Sequence, residues 1–310
     1  MESPPRLRVA VLVNAAAGTV TRQSAEHLKA ELLSAFEQAG IAPELNFLPS
    51  TEMRAAAEEV LRRVQAGKLD AIMGGGGDGS IRTIAGVLAG TGVPLGVLPL
   101  GTLNHFARDL GLPLDLREAV AVVAHGTVRS VDVAAMNGEI FLNNSSIGLY
   151  PLLVLERERQ RHRKHLPKWL AMLLAVFRVP RHWPLFRLTV RVEGAAEACG
   201  TPLVFIGNNE YRLALTAFGR RERLDGAELS IYVARSESWL SFFRLACRLI
   251  LGLSKPSRDM RIVKTRTADI LSRRHHLLVA FDGEVELLRP PFHYEIRPGA
   301  LRVFVPPPVA

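Results

Sequence analysis

The sequence predicts an α/β protein with two domains: an N-terminal parallel-sheet α/β domain over residues 1–133, then an antiparallel β-sandwich domain over residues 134–310. Three observations carry this. Up to residue 133 short apolar runs alternate with helical stretches, the mark of a parallel sheet covered on both faces. After residue 134 short strand-like runs separated by turns take over. The 310 residues, 48% of them hydrophobic, fit two cores better than one.

Leu7–Val13 is the first strand. Ser24 can cap a helix with Leu28, Leu32, Leu33 and Phe36 on one face, stopped by Gly40. Glu44–Leu48 is a second strand and Glu52–Gln65 an Ala-rich helix. Leu69–Met73 is a third strand that empties into Gly74-Gly75-Gly76-Gly77-Asp78-Gly79-Ser80, after which Ile81–Leu88 reads as a helix. Leu95–Leu98 is a fourth strand, and Thr102 can cap a helix whose apolar face is Leu103, Phe106, Ala107 and Leu110. A helix over about 115–124 precedes the strand Val128–Val133. The second domain reads as strands over 140–146, 185–193, 202–207, 228–234, 276–281, 292–296 and 301–305, interrupted by the apolar helical stretches Trp169–Phe177 and Trp239–Leu253.

The glycine segment is the most informative. Glycine lets a backbone approach a ligand closely, and the free N–H groups of a helix start favour an anion. Asp78 sits where phosphates would go. A carboxylate there makes sense through a metal or a transferable proton, which points to phosphoryl transfer more than to passive binding. A structural turn is the alternative. The chain has no G-x-x-x-x-G-K-[ST], and its spacing is not that of a dinucleotide fingerprint. Open parallel sheets bind ligands at the carboxyl ends of their strands. Asn14, Gly74–Ser80 and Gly101-Thr102 all leave strand ends and can converge there. Asn104 and Arg108, four apart on the predicted helix, can both point into the same cleft, or form an ordinary exposed pair.

Composition narrows the classes. Cys199 and Cys247 make neither a disulfide framework nor a metal spacing. No apolar run reaches the ~20 residues of a membrane span, and Val9–Val13 is too short for a signal h-region, so the expected location is cytoplasmic. The net charge is +9, and residues 156–191 hold ten Lys/Arg against Glu156 and Glu158. No nucleic-acid motif or aromatic ladder accompanies them. The stretch 156–168 runs into Trp169-Leu170-Ala171-Met172-Leu173-Leu174, so 156–177 has the cations, aromatic and apolar face of an anionic-membrane contact at the inner face. A core helix with a charged flank is the alternative.

Three segments occur in order: Asn14-Ala15-Ala16-Ala17-Gly18, Gly76-Gly77-Asp78-Gly79-Ser80 and Pro99-Leu100-Gly101-Thr102-Leu103-Asn104-His105-Phe106-Ala107-Arg108. Together they resemble the diacylglycerol kinase catalytic-domain family, which includes bacterial soluble lipid kinases and relatives of sphingosine and ceramide kinases. Asn143–Gly148, Leu224-Asp225-Gly226 and Phe281-Asp282-Gly283-Glu284 are similar to its later motifs. The resemblance implies an ATP-binding α/β domain, a β-sandwich lipid domain and an active site in the cleft between them. It implies ATP and Mg²⁺ as cofactors and a hydroxyl of a diacylglycerol-like or related lipid as acceptor. By position it places Asn14, Gly18, Thr51, Gly76, Gly77, Asp78, Gly79, Ser80, Ile81, Arg82, Thr83, Thr102 and Asn104 around the nucleotide. It makes Glu284 the proton acceptor, with Asp78 as the rival base or metal organiser. Asp225 matches a structural Mg²⁺ ligand with the carbonyls of Glu222 and Ala227, and Asp132 matches a partner of Asp78 and Thr102 in a water and Mg²⁺ network. The alternative for Asp225 is a simple turn with Gly226.

The sequence departs from the family pattern at Ser80 (usually Thr), Arg82 (usually Asn), His105 (usually Asp) and Asn208-Asn209-Glu210-Tyr211, where a glycine-rich turn is usual. An NAD-kinase-like or other small-metabolite kinase, and a non-catalytic lipid- or nucleotide-binding regulator, are the competing readings. Monomer and homodimer both stay open.

Overall fold

The computed structural model describes residues 7–15, 22–163, 185–211, 221, 223–235 and 260–307. Its elements are β1 (Arg8–Asn14), α1 (Arg22–Gln38), β2 (Ala42–Leu48), α2 (Met53–Gln65), β3 (Ala71–Gly76), α3 (Asp78–Leu88), β4 (Pro94–Pro99), α4 (His105–Asp109), α5 (Leu116–His125) and β5 (Thr127–Met136). There follow β6 (Glu139–Phe141), β7 (Asn144–Gly148), α6 (Leu149–Arg163), β8 (Phe186–Val192), β9 (Ala195–Thr201), β10 (Leu203–Asn208) and β11 (Leu229–Ala234). The last are β12 (Met260–Thr265), β13 (Thr267–Ser272), β14 (Leu277–Phe281), β15 (Glu284–Leu288) and β16 (Phe292–Val305). The chain divides into two units, Met1–Val133 with Pro298–Ala310, and Ala134–Arg297. No helix among the described residues is long and apolar enough to cross a membrane.

In the first unit β2, β1, β3 and β4 pair in that order, all parallel, and the end of β16 joins β4 in parallel at Arg302 and Val303. Val9, Val11 and Val13 pack with Leu32 and Phe36 of α1 and Ala119, Val120 and Val123 of α5. Ile81 and Ile84 of α3 press on the other face, against Gly74. Arg8 of the inner strand β1 meets Asp70 at 3.0 Å with its guanidinium, and Glu44 of the edge strand β2 meets Arg63 at 2.7 Å. Each guanidinium hydrogen-bonds its carboxylate and holds it below its ordinary pKa.

Several expectations are corrected here. The third strand runs from Ala71 through Gly76, so three of the four glycines belong to the strand. The reason is packing: a Cβ on Gly74 would lie 2.7 Å from Ile84 Cδ1, and one on Gly75 3.2 Å from Val13 Cγ2. Ser24 lies inside α1, which begins at Arg22. Leu33 is 44% exposed while Leu32 and Phe36 are fully buried, because a 3.6-residue period turns position 33 off the 28–32–36 stripe. The run 301–305 is one end of the fourteen-residue β16, and it groups with the first unit rather than with 134–297. Its alternation matches any half-buried strand, and only its pairing with β4 assigns it.

The second unit holds two antiparallel sheets. One runs β12-β11-β10-β7-β14-β15, and the other pairs the start of β16 with β13, β8 and β9. Their inner faces share one core, including Phe186, Leu188, Ile270, Phe292 and Tyr294 from one sheet and Ile147, Ile206, Ile231, Val279 and Phe281 from the other. This is the expected sandwich. The run 140–146 is two strands, because the backbone breaks at Leu142-Asn143. Strands β9, β12, β13 and β15 carried no sequence expectation. The helical stretches Trp169–Phe177 and Trp239–Leu253 and most of the basic segment 156–177 lie outside the described residues.

Candidate functional site

The carboxyl ends of the parallel strands form a nearly level row. Asn14 pairs with Leu48, Val13 with Gly75, and Gly76 with Pro99. The loops that leave this row meet, as expected from their positions. Asn14 Nδ2 donates to Ser80 Oγ at 2.8 Å. A Cβ on Gly76 would lie 2.7 Å from Ser80 Oγ. Gly77 and Gly101 touch backbone to backbone: a Cβ on Gly101 would run into Gly77 Cα and lie 2.7 Å from Asn104 Oδ1.

Helix α3 starts at Asp78 with Gly77 extended before it, and no side chain caps it. Its first backbone bond runs from Ile81 N to Gly77 O at 3.1 Å. Among the described residues no acceptor meets the amides of Asp78, Gly79 and Ser80. Three N–H groups at the positive end of a helix dipole, beside glycines with no side chains to obstruct approach, can hold an anion such as a phosphate.

The Asp78 carboxylate has a structural partner. It accepts the Phe106 amide at 3.0 Å and the His105 amide at 3.2 Å, so it caps the start of α4. Thr102, expected to cap that helix, is exposed and does not. The residue before α4 is Asn104, with φ 51. Asn104 is 8% exposed, and its amide staples its own loop: Oδ1 accepts Gly101 N at 2.9 Å, while Nδ2 donates to Pro99 O and Gly101 O. It shapes the loop instead of pointing into open space with Arg108, whose Nε donates to Leu103 O at 3.0 Å. A sequence does not show the Asp78 cap, because it depends on which loop lies against which helix start.

The other nucleotide-side positions are placed as follows. Ile81 is 3% exposed and packs beneath α3, so only its backbone is available. Thr83 spends its hydroxyl on Gly79 O at 3.0 Å. Arg82 is half-buried on α3, and Thr51 is exposed just before α2. Gly18 lies outside the described residues.

Asp132 is 3% exposed, and its Oδ1 accepts Gly299 N at 2.8 Å, so part of its charge anchors the turn within β16. In the second unit, Asp225 is exposed and bonded to Arg223 Nε at 3.1 Å. Ala227 adopts φ 55, and Glu222 lies outside the described residues. A carboxylate with two backbone carbonyls is an all-oxygen donor set, which suits a hard cation such as Mg²⁺. Arg223 is the competing positive charge on the same carboxylate.

Glu284 is the exposed first residue of β15, paired across the hairpin with Phe281. The two residues between them, Asp282 (φ 46) and Gly283 (φ 90), form the turn that Asp-Gly favours. Asp282 also accepts the amides of Leu142, Asn143 and Asn144 at 2.8, 2.8 and 3.1 Å. That anchor fixes the hairpin presenting Glu284. Sequence reasoning saw the Asp-Gly-Glu triplet but gave Asp282 no role. It also missed Arg221, 8% exposed, which binds Leu142 O at 2.6 Å and Asn143 Oδ1 at 3.1 Å. No local pattern announces a buried arginine.

The class of protein follows from comparison. The family profile described as diacylglycerol kinase catalytic domain matches residues 8–136. A diacylglycerol kinase of Mycobacterium tuberculosis is 30% identical over 223 residues, 69% of this chain and 71% of that one. An uncharacterized protein of Synechocystis is 26% identical over 262 residues, 81% of this chain and 60% of its own length. The crystal structure of a diacylglycerol kinase candidate from Bacillus anthracis matches 100% of both chains with a TM-score of 0.76 and 25% identity. The chain belongs to the diacylglycerol kinase catalytic-domain family. It spans less than two thirds of some curated relatives, including 39% of a Bacillus subtilis diacylglycerol kinase.

Proposed function

We propose that this protein is an ATP-dependent lipid kinase that transfers the γ-phosphate to a hydroxyl of a diacylglycerol-like lipid. The observation that carries the reading is the open start of α3: three amides without an acceptor among the described residues, set among glycines at the carboxyl ends of β1, β3 and β4. Membership in the lipid kinase family supports it.

Phosphoryl transfer is mostly positioning and charge neutralisation. The amides of Asp78, Gly79 and Ser80 hold phosphate oxygens, and Ser80 is oriented by Asn14. Asp225 with the Ala227 and Glu222 carbonyls would hold a structural Mg²⁺, and Asp78 with Asp132 would hold one on the nucleotide side. Bound Mg²⁺ supplies positive charge on the phosphates, a need made sharper by the lack of a P-loop lysine. Glu284 takes the proton of the acceptor hydroxyl, held in place by the Asp282 anchor. Asp78 caps α4 and so couples the phosphate loop to Pro99–Arg108. The basic segment 156–177 provides contact with an anionic membrane.

The test is an ATP-consumption screen over lipids in mixed micelles, with label transfer to lipid as the readout. Transfer to a diacylglycerol supports the reading. Transfer to soluble metabolites alone, or ATP binding without any transfer, replaces it with a small-molecule kinase or a non-catalytic regulator.

A further inference from the structure

At Leu142-Asn143 the chain passes from the sheet of β5 and β6 to β7 of the six-stranded sheet. Leu142 and Asn143 are 0% and 2% exposed, so this break is shut off from bulk water and its backbone groups need partners within the protein. Every one of them has a partner. The three amides of Leu142, Asn143 and Asn144 go to the Asp282 carboxylate, and Asp282 N donates to Asn144 O at 2.9 Å. Asn208 N donates to Asn143 O at 2.9 Å, and Asn208 Nδ2 donates to Leu142 O at 2.8 Å. Arg221 completes the set. Its Nη1 donates to Leu142 O at 2.6 Å and to Asn208 O at 3.2 Å, and its Nη2 donates to Asn143 Oδ1 at 3.1 Å.

Two opposite charges therefore grip one short segment. The carboxylate of Asp282 takes the positive N–H ends of its peptides, and the guanidinium of Arg221 takes a negative carbonyl end and the Asn143 side chain. Burying a guanidinium is costly unless its donors are used. Its planar fork spans two acceptors at fixed spacing, which a lysine ammonium does not reproduce. Arg221 is delivered by a backbone bridge to Tyr211, whose ring centroid lies 5.9 Å from the guanidinium carbon and whose hydroxyl accepts Asn144 Nδ2 at 3.4 Å. Asn208 and Tyr211 belong to the segment where the sequence departs from the family pattern, so that departure supplies two side chains of this network.

The network reaches Glu284 through Asp282. Asp282 and Gly283 are the whole turn between β14 and β15, and β15 is an edge strand whose partner among the described strands is β14. Glu284 is exposed at the start of that strand, so its place follows from the turn before it. We propose that Arg221 is a positioning residue for Glu284: by fixing Leu142–Asn144 it fixes the amides that hold Asp282, and with them the hairpin that presents the carboxylate. The inference rests on the reading of Glu284 as the proton acceptor. A misplacement of about 1 Å at a reacting group costs about 10²-fold in rate, so turnover responds to shifts far too small to unfold the sandwich.

The experiment is a double-mutant cycle of Arg221→Lys with Glu284→Gln in the full chain, read as label transfer from ATP to diacylglycerol in mixed micelles. Tm and ATP affinity are measured on each variant. Arg221→Lys is expected to lower kcat about tenfold with the KM for ATP unchanged. In the Glu284→Gln background the same change is expected to cost nothing further, because no base remains to be placed. If Arg221→Lys melts below the assay temperature, Asn143→Ala carries the same cycle, since it removes the Nη2 acceptor and leaves the guanidinium its two carbonyls. Parental kcat in the single variant overturns the proposal. An equal loss in both backgrounds assigns Arg221 to the fold alone and overturns it too, as does a raised KM for ATP. Glu284→Gln with parental kcat is a separate outcome, read from that variant alone: it removes the proton acceptor and the inference with it. A parent that transfers no label to lipid removes the kinase reading and overturns both.

Discussion

Asp78→Asn separates two jobs that the wild-type carboxylate can hold together. The structure gives it one: accepting the Phe106 and His105 amides at 3.0 and 3.2 Å and capping α4. Losing an N-cap costs about 0.5–2 kcal/mol, and a hydrogen bond to a charged group contributes about 1.5–3 kcal/mol. The second bond is long and Asp78 is only half-buried, so the lower values apply. Asn keeps one neutral acceptor, so its cost is about 1 kcal/mol, whereas Ala keeps none and costs about 2 kcal/mol. For a domain of this size those losses lower Tm by about 3 °C and 6 °C. The proposed second job, in metal or proton chemistry, needs the charge. Asp78→Asn is therefore expected to lose about 100-fold or more of its turnover despite a small Tm change. Calorimetry and label transfer to lipid, run on both variants, give the two numbers. If Asn melts about 3 °C lower yet turns over normally, Asp78 is a cap only, and the assignment of phosphoryl-transfer chemistry to it is refuted.

Glu284→Gln is expected to lower kcat by about 10²–10⁴ with ATP affinity unchanged by calorimetric titration. Loss of nucleotide binding instead would make Glu284 structural. Gly101→Ala forces a Cβ onto Gly77 Cα and toward Asn104 Oδ1. It should cost about 1–3 kcal/mol and weaken ATP binding, and normal affinity would show that the Gly77–Gly101 contact does not shape the site. Hydrogen bonds from Arg8 and Arg63 lower the folded-state pKa of Asp70 and Glu44. A depressed carboxylate stabilises the fold above its unfolded pKa and loses that effect as pH falls through the folded value. Asp70→Asn should therefore destabilise slightly at neutral pH, by less than about 1 kcal/mol for so exposed a pair, and be neutral well below pH ~4. Equal effects at both pH values in urea melts would contradict the pairing.

The α/β order of the first domain was legible in the sequence because each β-α unit writes its own local period: Val9, Val11 and Val13 on a strand, Leu28, Leu32 and Phe36 on a helix. The glycine loop was legible because glycines followed by a helix start are a local arrangement. The sandwich was legible as a class, from turns and short apolar runs. Its missed strands were not. β9, with Ala195, Ala196, Ala198 and Gly200, lacks the β-branched residues that mark a strand, and its pairing with β8 alone makes it one.

What only the tertiary structure decided is long-range. The glycine run itself is one case: Gly74 to Gly76 are needed under Ile84, Val13 and Ser80 as much as for any ligand. The duties of Asp78, Asp132 and Asp282 are others. Each carboxylate was visible in the sequence as a candidate or as part of a motif. Yet its hydrogen bonds run to amides 27, 167 and 140 residues away, at α4, Gly299 and Leu142. A side chain's type and local spacing record what it can donate or accept. Which partner it meets is set by the packing of elements far apart in the chain, and that information is spread over the whole core rather than written near the residue.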